Sequence, residues 1–257
     1  MSVFKAAIFG WAGTTIDFGS FAPMGVFVEA FSRFDVKVSV DEARAPKGAP
    51  KRDHIKAMLE MPEVAERWRE AHGQTASEAD IDAIYEVFVP LNEEVVARYA
   101  TLVPGTRDAI SKLRAMGLKI GSTTGYTRSI MERVLPVAAA QGYEPDNLVC
   151  SDDLIAGRPG PLGIYNCMVD LAVYPPSAII KVDDTVPGIA EGVSAGCLTV
   201  GAALSGNYVG KTPDELAALP AADVDKLRDA ATAKLRAAGA DHIIDTVADL
   251  PDLLAKL

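Results

Sequence analysis

A chain of 257 residues that is 49% hydrophobic can bury one sizeable core, or a core domain with a smaller inserted one. A net charge of −10 argues against holding nucleic acid through the overall field, yet leaves room for a local basic pocket that takes a small anion. The 3 cysteines are widely spaced, with no disulfide framework or CxxC metal pattern. There is no basic leader followed by a long apolar stretch, and no run approaches about 18 apolar residues, so a cytoplasmic protein without signal peptide or membrane span is expected.

Residues 3–9, VFKAAIF, read as a buried parallel strand. Residues 10–17, GWAGTTID, follow as a loop at its carboxyl end, the side on which open α/β sheets bind ligands. Taken alone, the stretch reads equally well as a first core strand and a glycine-containing turn. Residues 25–34 carry Val26, Phe27, Ala30 and Phe31 at helical spacing, and Ser39 with Glu42 offers a reciprocal helix cap. Residues 53–61, 63–72 and 78–99 also read as helices, and no strand candidate occurs between about residue 20 and residue 100. That run of helices implies a helical domain of residues 20–100, inserted into an α/β core of residues 1–19 and 101–257.

Beyond residue 105 the pattern alternates. Strands are expected at 118–122, 147–150, 178–182, 198–200 and 242–244. Helices are expected at 106–116, 127–140, 161–171, 186–195, 222–238 and 247–256. This implies a doubly wound, mostly parallel sheet covered on both faces.

Four further places could carry chemistry, and each has a plainer reading. Thr123, Thr124, Gly125 and Tyr126 follow a strand, where exposed N–H groups suit a phosphate or phosphonate, or form an ordinary capped turn. Arg158, in Gly-Arg-Pro, holds an anion with its fork of donors or sits at the surface. Asp183 and Asp184 at a strand end suit a hard divalent cation, or cap the next helix. Residues 45–54, APKGAPKRDH, are a basic loop opening a helix. Within it Lys51, flanked by Lys47 and Arg52, has the setting of an amine nucleophile with a lowered pKa.

The pattern FxWAGTTxDxGxFAP in residues 9–23, the KVDDTVPGI string at 181–189 and the loop before His54 resemble the phosphonoacetaldehyde hydrolases of the haloacid dehalogenase superfamily. The resemblance covers nearly the whole chain. It implies a Rossmann-like core with a helical cap, C–P cleavage of phosphonoacetaldehyde to acetaldehyde and phosphate, and a homodimer paired through the caps. It further implies that Lys51 forms a Schiff base with the aldehyde, assisted by His54, while Gly48, Thr124, Gly125, Tyr126 and Arg158 hold the substrate. Magnesium would be held by the Ala12 carbonyl and Asp184, with Asp183 in support. The chain departs from the family at two of these places: Gly10 stands where the family has its nucleophilic, metal-binding aspartate, and Lys47 where it has methionine.

Glycine can neither attack phosphorus nor ligate a cation through a carboxylate. The expectation is a weakened magnesium site and phosphoryl transfer slowed by many orders of magnitude. Asp17, the other nearby carboxylate, is not expected to substitute. Three readings follow: a phosphonatase with its nucleophile replaced, a Schiff-base enzyme running another reaction on a small aldehyde, or a silent binding protein. Lys47 is expected to depress the pKa of Lys51 further or to bind an acid group on the substrate. Trp11, Trp68, His72, His242, Cys150 and Cys197 read as packing residues. Val26, Phe27 and Phe31 supply either a dimer surface or the cap's own core.

Overall fold

The computed structural model describes residues 4–257, so Val3 of the first expected strand lies outside the described residues. Five parallel strands are arranged in the order β2-β1-β3-β4-β5. They are β1 (Ala6–Phe9), β2 (Lys119–Ser122), β3 (Ile179–Asp183), β4 (Leu198–Ala202) and β5 (His242–Ile244). In β1 the side chains alternate between two apolar clusters: Ala7 and Phe9 on one, Ala6 and Ile8 on the other. Because both faces are buried, the strand reads as an unbroken apolar run rather than an alternating one. This is the doubly wound α/β sheet expected.

Between β1 and β2 lie α1 (Ala22–Ser32), α2 (Val40–Arg44), α3 (Lys51–Leu59), α4 (Pro62–His72), α5 (Glu78–Val95) and α6 (Thr106–Ala115). Then come α7 (Arg128–Ala140), α8 (Leu162–Leu171), α9 (Val186–Ala195), α10 (Pro213–Ala217), α11 (Ala221–Ala237) and α12 (Leu250–Leu254). Ser39 and Glu42 form the reciprocal cap expected at α2. Helices α1 to α5 enclose an apolar cluster of their own, including Phe27, Phe31, Met58, Trp68 and Phe88. Val26, Phe27 and Phe31 are buried there, so their role is that of a core and not of an exposed surface.

Three expected elements differ, the last helix dividing into a 3-10 turn, Val247–Asp249, and α12. The strand at 147–150 is a single bridge between Thr123 and Val149. Asn147 turns its side chain toward the edge of β2, where Oδ1 accepts from the Ser122 amide, and a 3-10 turn at Ser151–Asp153 ends the extended run. The long helix ending at residue 99 closes in a 3-10 turn, Val96–Tyr99.

Candidate active site

The chain crosses from β1 to β2 on one side and to β3 on the other, so the carboxyl ends of these strands frame the crevice where ligands bind in such sheets. The loop after β1 is tightly wound. The Trp11 carbonyl accepts from the amides of Thr14, Thr15 and Ile16, and Thr15 Oγ1 donates to the Gly10 carbonyl. From the helical side, the loop before α3 sits directly on the core. A Cβ at Gly48, whose φ is +98°, would fall 2.4 Å from Thr185 Oγ1, and one at Gly125 would fall 2.8 Å from the Ala49 carbonyl oxygen.

The resulting cavity is lined by Ala12, Gly48, Lys51, Thr124, Gly125, Tyr126, Arg158, Asp183 and Asp184, all singled out in the sequence, together with Trp11, Lys47 and Thr185. The space within it open to the centre of a water-sized sphere is about 30 Å³. Trp11 Nε1 and Tyr126 Oη are buried without a hydrogen-bond partner among the described residues.

Lys51 is the first residue of α3, where the helix dipole already disfavours a cation. It is 4% exposed, with Nζ 4.8 Å from the Tyr126 ring centroid and 5.8 Å from that of Phe27. Burial, then the charges of Lys47 and Arg158, lower its pKa to about 7. About half the amine is therefore neutral at neutral pH, as a carbonyl nucleophile requires. The expected effect of Lys47 on Lys51 is thus present.

His54 is placed differently from expectation. It does not line the cavity. Three residues along a helix is about 300° of rotation, and this turns the ring against Phe27, with centroids 4.0 Å apart. Nε2 lies 2.8 Å from the Ala43 carbonyl oxygen, which makes it the protonated nitrogen. Burial, then the charge of Lys51, holds the imidazole well below its ordinary pKa. It is a neutral residue packed in the helical core behind the amine.

The two strand-end carboxylates have separate environments. Asp184 Oδ1 accepts from Thr14 Oγ1 at 2.8 Å and Oδ2 from the Asn207 amide at 3.0 Å. Burial, reinforced by the neighbouring Asp183, raises its pKa to about 6. Asp183 is also buried, but Arg158, Lys181 and Thr185 outweigh that and hold its carboxyl below the usual range. Asp17 accepts from the Phe21 and Ala22 amides and so serves the start of α1; burial raises its pKa.

Magnesium requires near-octahedral oxygen at about 2.0–2.1 Å. Residue 10 contributes no side chain, Asp183 is engaged by cations, and Lys47 Nζ stands 3.5 Å from the Ala12 carbonyl oxygen. Among the described residues no group of three or more His, Cys, Asp or Glu is placed to hold a metal ion. A dication about 4 Å from an ammonium would be repelled by roughly 8 kcal/mol at an effective dielectric of about 20. The residues present do not fit magnesium. The room at residue 10 is also taken, since a Cβ there would lie 2.6 Å from Asp183 Oδ2 and 2.9 Å from Thr14 Oγ1.

Arg158 lines the cavity, and part of its guanidinium is engaged by the protein. Nη2 donates to the Thr123 carbonyl and Oγ1, and the guanidinium pairs with Asp183 at 3.3 Å and Glu191 at 3.0 Å. Lys181, fully buried in β3, pairs with the same two carboxylates at 3.1 Å each. Sequence reasoning assigned no part to Lys181 or Glu191. The available signal was a lysine inside the apolar run IIKVD and a glutamate in the apolar α9, since such residues are almost never fully buried unless paired.

A family profile described as haloacid dehalogenase-like hydrolase matches residues 4–196. The chain belongs to the haloacid dehalogenase-like hydrolases. Among curated relatives of this family, the phosphonoacetaldehyde hydrolase of Paraburkholderia phytofirmans is 50% identical, over 96% of this chain and 92% of the relative. That of Klebsiella pneumoniae is 47% identical, over 100% of this chain and 96% of the relative. Among solved structures, a phosphonoacetaldehyde hydrolase-like protein from Oleispira antarctica superposes with a TM-score of 0.96 at 40% identity, covering 98% of this chain and 92% of that one. A hydrolase from Pseudomonas syringae, 15% identical with a TM-score of 0.73, shares the fold.

Proposed function

We propose that this chain captures a small aldehyde bearing an acidic head-group, phosphonoacetaldehyde or a close analogue, as an imine on Lys51. In this reading residues 20–100 form a helical cap over a core of residues 1–19 and 101–257. The observation that carries it is a buried amine with a pKa of about 7 sharing one cavity with Arg158, Tyr126 and Asp184. The names of the relatives support phosphonoacetaldehyde as the first substrate to test.

The neutral Lys51 nitrogen adds to the carbonyl carbon, and the carbonyl oxygen takes up protons and leaves as water. The resulting imine, once protonated, draws electron density from the neighbouring carbon. Breaking the C–P bond would send its electron pair into that system as an enamine and hand phosphorus to an oxygen nucleophile. Gly10 offers no such nucleophile, so phosphate release is held back at this step while imine formation proceeds. Magnesium has no step in this reading.

The test is borohydride reduction in the presence of phosphonoacetaldehyde, followed by peptide mass spectrometry. The expected product is a secondary amine at Lys51 that is absent without aldehyde, with phosphate release far slower than capture. Reduction that leaves Lys51 unmodified would remove the imine reading and favour a binding protein.

A further inference from the structure

We propose that the Lys47 ammonium takes the place of a metal ion in this site, so that the pocket holds the oxyanion head-group of its aldehyde without magnesium. The inference rests on the imine reading for its substrate class, but its metal half stands separately. Lys47 is only 5% exposed, and its Nζ is directed at the Ala12 carbonyl oxygen, 3.5 Å away. Burial lowers its pKa, and the fields of Asp184, Asp17 and Asp183 act against that loss of charge, with Arg44 as the opposing cation.

The two departures from the family pattern also balance. An aspartate with a dication carries one net positive charge, and a glycine with a lysine carries the same. The exchange keeps the field that an incoming oxyanion meets and removes the carboxylate that would attack phosphorus. Lys47 and Arg158 then flank the cavity as the two cations available to the head-group.

Two measurements on the full chain test this. The first is thermal unfolding of metal-stripped protein with magnesium titrated to about 10 mM. The expected midpoint shift is under about 1 °C, against several degrees if the ion bound with a dissociation constant near 0.1 mM, an excess of about 100-fold. A shift of that larger size overturns the proposal, whether or not Lys51 is ever trapped. The second is the concentration dependence of borohydride trapping by phosphonoacetaldehyde, each variant measured at the midpoint of its own pH profile so that the Lys51 amine is equally neutral in all. In the parent, half-saturation should be the same in EDTA as in magnesium. In Lys47→Met it should rise by about tenfold or more, with Lys47→Arg between the two. Capture that needs magnesium, or a Lys47→Met variant that saturates like the parent, refutes the assignment. Failure of the parent to form any Lys51 adduct sinks the imine reading and leaves the magnesium titration to decide this one.

Discussion

Replacing Lys51 with methionine should make the protein more stable while abolishing aldehyde capture. The argument is one of linkage. In the unfolded chain the amine titrates near its ordinary value of 10.5, and in the folded chain at about 7. Between those values the unfolded state binds more protons, so stability rises with pH across this window. The cost of folding around the amine is full below pH 7, about 5 kcal/mol for a shift of this size. It is about 4 kcal/mol at pH 7 and about 2 kcal/mol at pH 9, and vanishes above the unfolded value. Methionine has nearly the same length and no charge, so it removes the cost and keeps most contacts with the Phe27 and Tyr126 rings. The assay is urea unfolding of parent and Lys51→Met at pH 7 and pH 9. The variant should be the more stable at pH 7 by several kcal/mol, with the gap closing by about 2 kcal/mol at pH 9. A variant less stable than the parent at pH 7, or a gap that does not change with pH, would refute the claim that burial and neighbouring cations depress this amine.

The same titration governs capture. At subsaturating aldehyde the trapping rate should rise about tenfold from pH 6 to pH 8 and then level off, because only the neutral amine adds to a carbonyl. In Lys47→Met the midpoint should move upward; a flat profile in the parent would contradict the lowered pKa. Glu191→Ala should cost about 3–5 kcal/mol in unfolding free energy, because Lys181 and Arg158 would be left sharing Asp183. A loss under about 1 kcal/mol would show that the buried ion network is not what holds Arg158.

How much of this was readable beforehand depends on the range of the interaction. The buried strands were legible because a sheet covered on both faces leaves continuous apolar runs, as in β1 and β3. Asp183, Asp184, Thr124 and Arg158 were legible because strand ends and the loops after them face one crevice. The loop before α3, with Lys51, was legible only through its likeness to a known family, since composition alone reads it as a solvated basic turn. The pairing of Lys181 with Glu191 was not, because it depends on how α9 lies across β3. His54 was given a part only by the family resemblance, yet its ring packs on Phe27 and not at the cavity. The segment near residue 147 has strand-like residues, but its ladder bond goes to a side chain.

The seating of the loop before α3 on Thr185, with Gly125 against the Ala49 carbonyl, has a consequence for how such a protein can change. Gly48 lies against the Thr185 side chain and Gly125 against main chain, with no thickness to spare. Any substitution that adds atoms at this seam would act as a wedge, holding the amine off its carbonyl partner while leaving every charged group intact. Loss of capture could therefore arise from residues that carry no chemistry at all, and the tolerance of the seam, rather than the reactivity of Lys51, would set which relatives keep the reaction.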